Sequence, residues 1–285
     1  MNTLPISRWV ALALFLVTTS VVLLAGTNCD AGAGPLRTDQ PQGITSQEII
    51  HKFAANELIF KEAREHYTYN LDVSIQELEG TTVEGEFRLI ADVVFDDKGR
   101  RLENVLYAPQ PTFQRISLTR EDYDDIRNRL PFVLTTPELP QYDLLYVGQQ
   151  HVDELDTYVY DMAPKKIEKE HRYFQGRIWV DNRDLQIVKT CGKTVPDVTM
   201  SNTKPKKRKS VDENITPKFV TYRELIDGQY WFPTYTMADE VLGFATGDVH
   251  IKEVIKYTHY KRVDAKSMTL KGEAPAEKPE KKKKP

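Results

Sequence analysis

The sequence predicts an α+β fold in which helices cover one side of a curved antiparallel sheet of about ten or eleven strands. Three observations lead to this class. Apolar and polar residues alternate with a period of two in most segments between residues 67 and 260. Short turns rich in Asp, Asn and Gly join these segments, so neighbouring strands run antiparallel. Only two segments show the periodicity of a helix.

The clearest pair of strands is HRYFQGRIWVDNRDLQIVKTC, residues 171–191. We predict one strand over residues 172–180, a turn over 181–184 and a return strand over 185–191, because the turn residues bond readily to their own backbone. Phe174, Gly176, Ile178 and Val180 alternate with polar and aromatic neighbours, which places these four on one face of the sheet.

Both helices have recognisable starts. The first is predicted from residue 46 to residue 66, where Thr45 and Glu48 form a capping box ahead of an apolar stripe. The second is predicted from residue 120 to about residue 130, capped by Thr119. Its first turns carry four acids, which suit the helix dipole; a cation site is the alternative. These acids are Glu121, Asp122, Asp124 and Asp125.

The remaining strands follow from the same alternation. They are predicted at residues 67–79, 87–95, 102–107, 142–147, 157–162, 219–226, 230–237 and 249–260. Asp227-Gly228 is a strong two-residue hairpin turn.

Residues 1–33 are predicted to be a secretory signal peptide. Arg8 precedes an apolar run over residues 9–26, and Ala31-Gly32-Ala33 offers a cleavage site. Two alternatives remain open: an uncleaved membrane anchor over residues 9–26, and a lipoprotein signal with an acylated Cys29. Cleavage after residue 33 would leave Cys191 as the one cysteine, so we expect it to be a buried strand residue without a disulfide.

The rest of the chain divides into a flexible leader (34–44), one folded domain (45–262) and a disordered Lys-rich tail (263–285). A basic loop is inserted at residues 197–216. We interpret it as a solvated connection, or as a contact with anionic lipid or an acidic protein partner. Its cations are Lys204, Lys206, Lys207, Arg208 and Lys209. The net charge of −3 argues against nucleic-acid binding.

No catalytic signature is present, and no His or Cys pair has metal-ligand spacing. We therefore predict neither an enzyme, nor a cofactor, nor a metal site. Polar groups converging on a carboxylate with a perturbed pKa would favour the opposite interpretation. A concave, aromatic-lined sheet that is incompletely filled would leave an apolar cavity for a hydrophobic ligand.

Residues 173–181 (YFQGRIWVD) and 184–189 (DLQIVK) resemble the bacterial outer-membrane lipoprotein-sorting proteins of the LolA/LolB type and the related RseB/MucB sensors. Residues 232–235 (FPTY), which follow the Asp227-Gly228 turn, support the resemblance. It implies an open half-barrel closed by helices. It also implies an apolar cavity that accepts acyl chains of lipoproteins or lipids in the periplasm.

This resemblance predicts a periplasmic carrier or chaperone for lipoproteins or lipids. The alternative is an envelope sensor or assembly module that binds a protein partner. Seven residues are predicted to line the cavity, with ordinary core packing as the alternative for each. They are Phe174, Ile178, Val180, Trp231, Tyr235, Ile251 and Ile255.

Overall fold

The computed structural model describes residues 26–128, 132–168, 171–196, 216–244 and 247–263. These residues form ten β-strands in one antiparallel sheet, together with two α-helices. The predicted fold class is therefore confirmed, and the architecture agrees with the one that the resemblance implies.

The helices are α1 (Ser46–Ala63) and α2 (Arg120–Asn128). The strands are β1 (Tyr67–Glu79), β2 (Thr82–Phe95), β3 (Arg101–Tyr107), β4 (Tyr142–Val152), β5 (Leu155–Pro164), β6 (Tyr173–Asp181), β7 (Ile187–Val195), β8 (Phe219–Ile226), β9 (Tyr230–Phe244) and β10 (Gly247–Arg262). Two short 3₁₀ turns precede β1 and β4, at Arg64–His66 and Leu139–Gln141.

The strand order is β3-β2-β1-β10-β9-β8-β7-β6-β5-β4. Two meanders, β1 to β3 and β4 to β9, are thus joined by the last strand. β10 pairs with β1 from Leu78↔His250 to Tyr67↔Arg262 and with β9 from Gly247↔Phe244 to Lys256↔Tyr235. Strands β3 and β4 form the two edges.

Local sequence explains where the helices and turns lie. The Oγ1 of Thr45 accepts the N–H of Glu48 at 3.2 Å, and Glu48 Oε2 accepts the N–H of Thr45 at 2.8 Å, which completes the predicted capping box. Asp227 and Gly228 have φ of 51° and 67°. Both angles lie in the left-handed region that a tight hairpin turn of this kind requires.

The sheet carries a hydrophobic cluster on each face. On the face covered by the helices, Ile49 and Phe53 of α1 are fully buried against β1, β2, β6 and β10. We call this the helix face. The opposite face carries a smaller cluster that includes Trp179, Val188 and Val220. Residues 26–37, which we call the N-terminal segment, pack against this opposite face.

Cys29 in the N-terminal segment forms a disulfide with Cys191 of β7. The prediction that Cys191 has no disulfide partner is therefore wrong, because it placed Cys29 in a removed signal. The disulfide also occupies the sulfur that the lipoprotein alternative would acylate.

The predicted flexible leader begins as ordered structure. Gly34 donates its N–H to the carbonyl of His151 at 2.8 Å, and Arg37 exchanges two backbone hydrogen bonds with Gln149 of β4 at 2.8 and 2.7 Å. Residues 34–37 therefore pair with β4 and extend the edge of the sheet.

Several predictions fall on residues outside the described part of the chain. These are the apolar run up to residue 25, the basic loop with its cations at 204–209, and the Lys-rich tail from residue 264. Among the residues that are described, no helix is both long enough and apolar enough to cross a bilayer.

Candidate functional site

The structure brings together five of the seven predicted cavity residues. They share the helix-face cluster, and each is at most 4% exposed: Phe174, Ile178, Val180, Ile251 and Ile255. The other two lie elsewhere. Trp231 belongs to the cluster on the opposite face, and Tyr235 packs beside Tyr222 there, with ring centroids 6.4 Å apart. Both faces of β9 carry aromatic residues, so composition did not indicate which one faces the helices.

The helix face is filled around these five residues. The ring of Phe174 stacks on Phe132 with centroids 4.6 Å apart and contacts Phe219 at 5.9 Å. Ile178 and Val180 have no exposed surface. These side chains form part of the core in this structure, and their role in ligand binding stays a prediction.

Helix α2 covers part of the helix face through charged contacts. Arg127 donates to Glu103 of β3 at 3.0 and 3.1 Å. Asp125 pairs with Arg172, which directly precedes β6. Since β3 is one edge of the sheet and β6 lies in the other meander, α2 spans the half-barrel and is held by an ion pair on each side.

Beneath α2 lies a buried carboxyl group with one unpartnered oxygen. Glu253 of β10 is 6% exposed, and its Oε1 has no hydrogen-bond partner among the described residues. Burial and, to a smaller extent, repulsion from Asp122 and Asp125 of α2 together raise the pKa of Glu253 to about 8. At acidic to neutral pH the group is therefore a neutral acid in apolar surroundings.

A second buried carboxylate is fully paired. Glu57 of α1 accepts two hydrogen bonds from Arg223 of β8, at 2.8 and 3.2 Å, and the two side chains are 0% and 2% exposed. Arg223 also donates to the carbonyl of Phe132. This network joins α1, β8 and the segment before β4, so it fixes the position of the covering helix.

A groove of about 930 Å³ lies on the opposite face, across β4 to β7. Its floor includes a cross-strand row in which Arg177 of β6 pairs with Asp161 of β5 at 2.7 and 3.1 Å, next to Cys191. The disulfide partner Cys29 borders the groove. None of the seven predicted cavity residues lines it.

A pair of glycines shapes the floor of this groove. Gly176 and Gly192 face each other in β6 and β7. A Cβ atom at Gly176 would lie 2.3 Å from the carbonyl oxygen of Cys191, and one at Gly192 would lie 2.3 Å from that of Gln175. The close approach of the two strands therefore requires glycine at both positions.

Two of the four acids of α2, Asp122 and Asp125, are engaged within the protein. Asp122 accepts the N–H of Thr119 at 2.7 Å, as expected of a first-turn acid, and Asp125 is paired with Arg172. In the described ranges no group of three or more His, Cys, Asp or Glu could hold a metal ion. Glu253 has a perturbed pKa, and its Oε1 has no hydrogen-bond partner in the part of the chain that the structure describes.

Comparison with known proteins gives distant structural neighbours. No family model and no curated protein matches the sequence. A DUF1329 family protein from Desulfovibrio piger is 16% identical, with 73% of this chain and 90% of that chain covered, at a TM-score of 0.37. A LolA superfamily protein from Nitrosomonas europaea is 15% identical. The match covers 78% of this chain and 95% of that chain, at a TM-score of 0.34.

A putative outer membrane lipoprotein-sorting protein domain from Vibrio parahaemolyticus is 10% identical, with 75% and 94% covered, at a TM-score of 0.33. Two of these three structures carry the name of the family that residues 173–189 resemble. Because the TM-scores are low, the likeness carries no argument about function, which is argued below from this chain's own residues.

Proposed function

We propose that the protein is a periplasmic carrier or chaperone that binds an acyl chain of a lipid or lipoprotein on the helix face, with α2 as a displaceable cover. The observation that supports this most directly is the way α2 is attached. Of its residues 120–127, only Asp125 and Ile126 are buried, and one ion pair holds the helix on each side.

The energies of the cover and of an acyl chain are of similar size. The ion pair of Arg127 with Glu103 is partly exposed and contributes about 0–1 kcal/mol, whereas Asp125 and Arg172 are largely buried and separating them costs about 3–5 kcal/mol. Burial of one Ile side chain contributes about 1.5–3 kcal/mol. An acyl chain gains about 0.8 kcal/mol for each buried methylene. Ten methylenes would therefore provide about 8 kcal/mol, which is similar to the cost of displacing α2.

The surface beneath α2 suits such a ligand. Ile251 and Ile255 flank Glu253 on β10, and Phe87 of β2 lies against Tyr123 of α2 with ring centroids 5.6 Å apart. A protonated Glu253 can donate one hydrogen bond to the ester or amide carbonyl that joins an acyl chain to its carrier molecule. The apolar residues would hold the chain and the acid would position its polar end.

The test is uptake of a fluorescent acyl probe by protein purified without detergent, combined with native mass spectrometry and lipid extraction. We expect Arg172→Ala, which removes the partner of Asp125, to accelerate uptake several-fold. Arg120→Ala is the matched control, because Arg120 is exposed and its Nε lies 3.9 Å from Oδ2 of Asp124. This contact lies within α2 and does not join the helix to the sheet. A protein that carries no lipid and takes up no probe in any of the three forms would contradict the proposal.

The second candidate is an envelope module that binds a protein partner, and the edge strand β3 favours it. Its apolar side chains are about half exposed: Leu102, Val105, Leu106 and Tyr107. An exposed edge strand can accept an extended segment of another protein through backbone hydrogen bonds. If the purified protein contains no lipid and binds no acyl probe, β3 becomes the candidate binding site for a protein partner.

A further inference from the structure

The N-terminal segment is held in place from Thr27 onward. The Thr27 side chain is 3% exposed; its Oγ1 donates to the carbonyl of Lys218 at 2.7 Å and accepts the N–H of Asp239 at 3.0 Å. Two residues later, Cys29 is bonded to Cys191. Side-chain and covalent contacts thus fix a stretch that the Ala31-Gly32-Ala33 cleavage site would remove.

The same stretch compensates a buried charge. Lys189 of β7 is 1% exposed, and its ammonium donates to the carbonyl of Ala31 at 3.1 Å. Burial lowers the pKa of Lys189, while the carboxylates of Asp30 and Asp153 raise it. Loss of residues 27–33 would take away the carbonyl of Ala31 and the charge of Asp30, and leave the ammonium beside the ring of Trp179.

The segment also closes the β4 edge of the sheet. Ala33 forms a bridge with Val152, and Arg37 forms one with Gln149. Cys29, Ala33 and Leu36 pack against the hydrophobic cluster of the opposite face. Cleavage after Ala33 would uncover part of this cluster and shorten the edge pairing, so it conflicts with the contacts of the folded chain.

We propose that the signal peptide is removed N-terminal to Thr27, directly after the small residues Ala25-Gly26, and that residues 27–37 remain in the mature protein. Water hydrolyses the peptide bond at a signal peptidase: the carboxylate stays on the departing signal peptide, and the new amine stays on the mature chain. Ala25 and Gly26 are small residues that directly follow the apolar run, and Leu24 stands where the first Ala of the A-x-A pattern would be.

The surroundings of Thr27 favour a new amino terminus there. Its backbone N–H donates to Oε1 of Glu240 at 2.8 Å. Cleavage between Gly26 and Thr27 turns this amide into an ammonium group that faces a carboxylate, and a charge-assisted hydrogen bond is stronger than a neutral one. Gly26, by contrast, is exposed.

The test is the amino terminus of the exported protein. The full chain is expressed with its own signal, recovered from the periplasmic extract and examined by N-terminal sequencing and non-reducing intact mass. We expect Thr27 as the first residue, and the mass of an oxidised Cys29–Cys191 pair. A first residue after Thr27, or an uncut chain, would overturn the proposal.

Two variants keep the test decisive even if one fails to fold, because processing is read from the size of the chain. Ala33→Leu places a large residue before the bond predicted from the A-x-A pattern, and we expect normal processing. Ala25→Leu combined with Gly26→Leu blocks the site proposed here, and we expect the precursor to accumulate. The reverse pattern would show that cleavage follows Ala33.

Discussion

At the scale of single residues, Glu253 is the least ordinary group in the described chain. It is a carboxyl group that faces the apolar core, with one oxygen unpartnered and two further acids nearby on α2. Unpartnered buried polar atoms are few in folded proteins, and each tends to mark strain or function. The sequence contains a signal for this residue, because Glu253 falls within the alternation of Val249, Ile251 and Ile255.

We predict that Glu253 makes stability depend on pH. Its pKa is about 8 in the folded protein and 4.5 in the unfolded chain. Between these values the unfolded chain releases the proton while the folded protein keeps it. The free energy of unfolding should therefore fall as pH rises from about 4.5 to 8, by at most about 1.4 kcal/mol per pH unit, and then level off.

Urea unfolding at pH 5, 7 and 8.5 would measure this effect. We expect Glu253→Gln to match the parent protein at pH 5 and to exceed it in stability at pH 8.5. Glu84→Gln, at an exposed position of β2, is the control and should change neither value. Parallel pH profiles for Glu253→Gln and the parent protein would show that the carboxyl group is not held neutral.

At the scale of elements, α1 is attached to the sheet by an apolar stripe with one charge in it. Glu57 lies between Phe53 and Phe60 on that stripe and pairs with Arg223. The predicted start of α1 is confirmed, and the helix gives way to a 3₁₀ turn over its last three predicted residues. The stripe marks Glu57 as buried, but only the fold shows that its partner comes from β8.

We predict that Glu57→Leu costs about 3–5 kcal/mol of stability, because Arg223 would stay buried without its carboxylate. The double variant Glu57→Leu with Arg223→Met should recover most of this loss. Denaturant unfolding compares the three proteins, with Glu62→Leu on the exposed side of α1 as the control. A double variant as unstable as the single one would mean that the ion pair is not the main contribution.

The strands show which features of the fold can be predicted from sequence patterns. Alternation and turn residues locate all ten strands, and β1 is predicted with its observed bounds. The patterns do not reveal which face of a strand meets the helices, and the structure places Trp231 and Tyr235 on the face opposite to the other five predicted cavity residues. They also give no pairing between residues far apart in the chain, which is why the Cys29–Cys191 disulfide was missed.

At the scale of the whole molecule, the two edges of the sheet differ. The β4 edge is paired with residues of the N-terminal segment, whereas β3 carries exposed apolar side chains. Open edges with apolar neighbours favour association between chains. The N-terminal segment therefore protects one edge and, together with its disulfide, the cluster that contains Trp179.

We predict that a mature chain lacking residues 27–37 is less stable and self-associates, because it exposes the β4 edge and part of the opposite-face cluster together. Light scattering coupled to size-exclusion chromatography would detect the increase in mass. The double variant Cys29→Ser with Cys191→Ser is the control: it keeps the segment and should keep the association state of the parent protein. If the truncated chain has the stability and the association state of the parent protein, the N-terminal segment does not protect the sheet edge.

The central position of β10 has a consequence for the order of events during synthesis. Strands β1 to β3 leave the ribosome first, and strands β4 to β9 follow. The two groups are joined into one sheet only when β10 pairs with β1 and β9. Until about residue 262 has emerged, β1 and β9 each present an unpaired edge, and the chain consists of two separate partial sheets. A chain that stops before β10 therefore presents two unpaired strand edges, and a nonsense mutation that removes β10 alone would leave both halves without their common partner.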